Sequence, residues 1–169
     1  MVRTSLIALA IAAVVVVSPG AAPAATAYTD TISGGEYFFT STEGRFAGKA
    51  AGDLPGYWNA VVDHTPLSLS STPTATITGG SFQLATSFGA VPTLVTGKFS
   101  GGTVNVVSTG ANCTNQTFDV EGTLADVGPW YAGNGSGTFS AVLTHYRTSI
   151  FGDCVSYAAS VRGSLSLNF

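Results

Sequence analysis

Charge is scarce in this chain. Six Lys and Arg and nine Asp and Glu are spread over 169 residues, and no Lys follows Lys98. Beyond the N-terminal segment the cations are Arg45, Lys49, Lys98, Arg147 and Arg162, against nine acids, a formal charge of −4. Five scattered cations cannot form the basic stripe that a phosphate backbone requires, so nucleic acid is not an expected partner. His64 and His145 are the only imidazoles, and Cys113 and Cys154 the only thiols. Neither a Cys/His metal site nor a C-x-x-C redox pair can be assembled from them, and no metal or cofactor is expected. There is no Gly-x-Ser-x-Gly elbow, His-Glu-x-x-His pair, phosphate-binding glycine loop or EF-hand loop. Those absences argue against a common hydrolase, a metalloprotease and a nucleotide enzyme. No segment after residue 27 repeats at the helical period or has membrane-spanning length.

What is present starts with an export signal over residues 1–27. Arg3 leads an unbroken apolar run, Leu6 to Val17. Pro19 and Gly20 end it, and Ala25-Thr26-Ala27 offers the small residues that signal peptidase needs, so cleavage is expected after Ala27. Twelve apolar residues are too few for a membrane anchor, which needs about 20. The Ala-rich style is that of bacterial leaders. A secreted domain, 28–169, would follow, long enough to bury one core. In an oxidising compartment Cys113 and Cys154 are expected to pair as a structural disulfide.

Val, Ile, Thr, Phe and Tyr dominate that domain, and Gly, Pro, Asn and Asp punctuate it. This predicts an all-β fold. Strands are expected near 35–42, 44–51, 56–64, 74–87, 92–100, 102–109, 115–125 and 136–148, with Ser100-Gly101-Gly102 as a hairpin turn. The clearest strand is the last. Val155, Tyr157, Ala159, Val161, Leu165 and Leu167 share one parity, predicted to face inward. Trp58, Ala60 and Val62 likewise share a core face. A Gly-x-Phe or Gly-x-Leu unit recurs six times, at Gly44, Gly80, Gly97, Gly122, Gly137 and Gly163. Glycine beside a large side chain lets a coiled sheet close, which favours a single antiparallel barrel of about eight strands over a β-sandwich.

The stretch Gly44-Arg45-Phe46-Ala47-Gly48-Lys49-Ala50-Ala51-Gly52 resembles the Gly-x-Phe-x-x-Ala-x-Gly pattern of dirigent and allene-oxide-cyclase-like barrels, with the Ala one place later. The resemblance spans nine residues and implies a small eight-stranded barrel. It carries over no catalytic residue.

Three groups are candidates for function. Asp63 and His64 end one strand; His145 and Arg147 end another, on the parity of Phe139, Ala141 and Leu143. At the inner rim of a barrel His145 and Arg147 could polarise a ligand, with Asp63 or His64 as partner. The plainer expectation is a polar rim, and Asp63 and His64 face opposite sides of their strand. Trp130 and Tyr131, in a Gly/Pro-rich loop, would form either a stacking platform for a sugar or a plug for a barrel end. Asp119 and Glu121 share the solvent parity of their strand and read as surface carboxylates. Asn112, Asn115 and Asn134 stand in glycosylation-type triplets, which a Thr-rich chain produces readily.

The leading expectation is therefore a secreted, non-enzymatic module that binds a small apolar or carbohydrate ligand, or another surface. The alternatives are a small barrel enzyme of isomerase or cyclase type working around His145 and Arg147, and a structural envelope-associated protein.

Overall fold

The computed structural model describes residues 24–69, 73–130 and 132–169; most of the export signal read from the sequence lies outside them. Eight antiparallel strands form a closed barrel in sequence order. They are β1 (Ala27–Phe39), β2 (Glu43–Gly52), β3 (Gly56–His64), β4 (Thr74–Phe88), β5 (Val91–Thr109), β6 (Gln116–Pro129), β7 (Gly135–Ile150) and β8 (Asp153–Asn168). Among the described residues no helix is long and apolar enough to cross a membrane.

Alternation builds the core. Trp58, Ala60 and Val62 of β3 all point inward and are buried, as their parity predicts. So are Phe82 and Leu84 of β4, Leu143 of β7, and Leu165 and Leu167 of β8. Glycine closes the curve where two walls meet. Gly48 pairs with Gly34 on one side and Trp58 on the other. A Cβ on Gly48 would collide with the Ser33 carbonyl. The space left there lets the Trp58 indole N–H donate to the carbonyls of Lys49 (3.1 Å) and Ser33 (3.3 Å), which satisfies a donor held inside the wall. Gly122 lies opposite Phe139, whose ring occupies the space a side chain there would need.

Two expectations about the strands are corrected. Ser100-Gly101-Gly102 is not a hairpin turn: β5 runs through it, with Gly101 and Gly102 paired to Thr123 and Gly122 of β6. The glycines bend a long strand at register shifts instead of reversing it. The inward parity of β8 also ends early. Val155 and Tyr157 are exposed, because β8 outruns the barrel wall and a bulge interrupts its pairing with β7 beside Tyr157.

One end of the barrel holds Thr26 and Phe169, whose main chains exchange hydrogen bonds of 3.0 and 3.1 Å. It is plugged by the rings of Tyr28, Phe88 and Phe169, with the first and last stacked at 4.9 Å. The other end is the mouth, where β1, β3, β5 and β7 finish. Cys113, in a short 3-10 turn (Ala111–Cys113), is joined to Cys154 there, pinning the loop after β5 to the start of β8.

Candidate functional site

The mouth contains a cavity of about 190 Å³ with mostly apolar walls. Phe46, Val62, Val120 and Leu143 form its floor, and the same side chains cap a smaller, wholly apolar void of about 40 Å³ deeper in the core. Leu67 and Leu69, in the segment after β3, close over one side.

Four ionisable groups line the cavity, Glu36, Glu43, His64 and His145, and the first and last of these form a pair. Glu36 enters from β1 and His145 from β7, and His145 Nε2 lies 2.6 Å from Glu36 Oε2. Both are almost out of water, with side chains 4% and 11% exposed. Glu36 continues the inward parity of Asp30 and Ile32, and a register shift just after it, at Tyr37, brings Phe39 to the cavity as well. Phe39 and Phe118 hold the imidazole, each ring centroid 5.3 Å from that of His145. Glu36 Oε1 faces Gly44, where a Cβ would press on it, and has no hydrogen-bond partner among the described residues. The cavity therefore holds a carboxylate oxygen able to accept a hydrogen bond from whatever enters.

The residues picked out from the sequence divide. His145 is in the cavity wall, as its parity predicts, and so is His64, whose Nδ1 is 2.8 Å from the Thr65 carbonyl oxygen. Asp63 is not; it sits on the outer face of β3, in register with Glu43 and Gly79. Arg147 continues the inward parity, but its guanidinium donates to the carbonyls of Gly110 (2.9 Å) and Cys154 (3.5 Å). It fastens the disulfide loop and does not line the cavity. Asn115 Oδ1 helps by accepting from the Arg147 amide at 3.3 Å. Trp130 is 72% exposed at the opposite, plugged end, so it is not the plug. Ten residues of β7 separate that end from His145, about 30 Å at strand rise. Tyr131 lies outside the described residues. Asp119 and Glu121 are exposed on the barrel's outer surface.

Glu36 is the side chain of this candidate site that sequence reasoning missed. It follows Gly34-Gly35 and precedes Tyr37-Phe38-Phe39, and with the strand expected to begin only near 35, the inward period from Asp30 and Ile32 does not reach it. Its partner is 109 residues away. The available signal was a lone carboxylate among aromatics.

Chemically, the arrangement offers a hydrogen-bonded acid–base pair, a free carboxylate oxygen and a second imidazole around an apolar space. Among the described residues no group of His, Cys, Asp and Glu gathers as a metal ion would require. Comparison with protein-family models, with curated proteins and with solved structures finds no match to this chain.

Proposed function

We propose that this protein is a secreted, non-enzymatic barrel that takes a small, largely apolar ligand into its mouth. The observation that carries this reading is the 190 Å³ cavity with mostly apolar walls and a carboxylate oxygen, Glu36 Oε1, that has no hydrogen-bond partner among the described residues. A cavity of about 150 Å³ lined by hydrocarbon suffices for benzene, so a single substituted ring is the right scale. A hydrogen-bond donor on that ring would meet Glu36. Secretion is supported by the leader-like N-terminus and by the disulfide, which belongs in an oxidising compartment.

Titration of p-cresol and of toluene, followed by amide chemical shifts, tests this. Both should give saturable shifts around Phe118 and Leu143. Glu36→Gln keeps the shape but removes the charge, and should weaken p-cresol about tenfold while leaving toluene unchanged, since a hydrogen bond to a charged group contributes about 1.5–3 kcal/mol. Absence of saturable shifts in the mouth with either compound would refute the reading.

The Glu36–His145 pair favours one second reading, an isomerase- or cyclase-type enzyme that moves a proton within an apolar substrate. Mass and isomer analysis of a natively retained compound separates the two. A binder returns it unchanged. An enzyme converts it, and His145→Asn does not.

A further inference from the structure

Independently of the mouth, we infer that the free edge of β8 is a pairing site for a second copy of this chain. β8 extends from Asp153 to Asn168, yet β1 pairs with it only from Val161 onward. Residues 153–158 are therefore paired with β7 on one side and, among the described residues, with no strand on the other, and every one of them is exposed. Natural sheets blunt such edges with Lys, Pro, inward charge or a bulge, and the bulge here, at Tyr157, leaves 153–156 in regular register with β7. This edge has no Lys or Pro, and Asp153 is its only charge. It carries Val155 and Tyr157, which follow a core parity but stand 36% and 66% exposed. The Cys113–Cys154 bridge holds the edge in place, so little ordering remains to be done on association.

The surface beside the edge is apolar to match. Phe151, fully exposed, sits at the tip of the β7–β8 hairpin with φ 51° followed by Gly152 at 94°, a backbone conformation that disfavours a large side chain. Tyr37 and Phe38, on the part of β1 that has left β8, are also exposed. At about 200 Å² per fully exposed ring, Tyr37, Phe38, Phe151 and Tyr157 leave on the order of 550 Å² in water. Val155, Ile150 and the strand backbone bring this near the roughly 800 Å² per partner of a stable interface.

The segment is self-complementary. An antiparallel pair with its two-fold axis at Val155 sets 153–157 against 157–153 of the copy. Val155 meets its equivalent, and each Asp153 lies beside the other copy's Tyr157, so no like charges face each other. In the same register Phe151 draws level with the partner's Ala159, next to the β1 end that bears Tyr37 and Phe38.

Sedimentation velocity on the oxidised protein over a concentration series tests the inference. The parent protein should sediment as a dimer that dissociates on dilution. Val155→Lys and Val155→Glu, at an exposed position, should each raise the dissociation constant at least tenfold while leaving the thermal midpoint of the dilute protein unchanged. Mixing the two variants should restore the dimer. A parent protein that stays monomeric throughout the series, or a dimer indifferent to both substitutions, would overturn the inference. So would a monomer that instead co-sediments with phosphatidylcholine vesicles through Phe151.

Discussion

Each end of the barrel buries a carboxylate, and the two are used differently. At the plugged end Asp30 accepts from the Leu54 amide at 2.9 Å, while Asp53 accepts from the Thr29 amide at 2.8 Å, and together they clip the turn after β2 to β1. Asp30 Oδ2 is buried without a partner, and burial pushes its carboxyl above the ordinary carboxylate value; the Leu54 bond opposes that and the Asp53 charge adds to it. Chain from the next turn closes on this group: Oδ1 meets the Leu54 amide and lies against Gly52. At the mouth the Glu36 side chain is also withdrawn from water, but it is matched with an imidazole and looks into open volume. The same residue chemistry is enclosed where the chain packs against it and faces open volume where the chain leaves room. Burial of a charged group is thus a poor guide to function until one asks what fills the space beside it.

The contrast can be broken from either end. Replacing both cysteines by Ser should have the largest effect, about 4 kcal/mol for a closed loop of 41 residues in the chain-entropy account. Hydrogen exchange should accelerate in 110–115 and 151–158 well before it does around Tyr28 and Phe169. Uniform loss of protection would mean that the two ends are not separable. Next, Leu167→Ala removes a fully buried side chain at the plugged end and should cost about 3 kcal/mol in urea unfolding. The binding of p-cresol at the mouth should be unaffected, and a tenfold change there would link the ends.

The smallest effect is a slope. With its carboxyl raised in the folded protein, Asp30 holds its proton more tightly there than in the unfolded chain. Its contribution is complete below the ordinary carboxylate value of 3.8 and is lost as pH rises through the folded value. Asp30→Asn retains an oxygen for the Leu54 amide and has no such titration. The stability of the parent relative to this variant should therefore fall as pH rises through that window. Urea unfolding from about pH 3 to about pH 7 reads it, and a constant or rising difference would contradict the assignment.

The barrel was legible because its signal is repeated. Alternation in β3 and β8, glycines beside rings and a pair of cysteines all specify one closed sheet. The mouth was half legible. His145 followed from parity along β7, and His64 from its place at the end of β3. Glu36 did not, because the strand was expected to begin only near 35, so the inward period from Asp30 and Ile32 that places it was not read, and its partner comes from a distant strand. Arg147 was placed on the correct face, yet carbonyls from the disulfide loop occupy its guanidinium, and no pattern in β7 announces them. Val155 and Tyr157 failed for another reason. Parity holds only while the register is unbroken: the bulge at Tyr157 sets Val155 opposite Thr148, on the outer parity of β7, and β8 there extends beyond its pairing with β1.

The junction of β1 with β8 has a consequence for how the molecule comes into being. Ala27 and Asn168 are neighbours across the sheet although nearly the whole described chain lies between them. Successive hairpins can form locally as they emerge, but that final seam must wait for the C-terminal strand, and its ring closure is the most entropically demanding event in assembly. Folding should accordingly be slow, with the interior wet until the last strand docks.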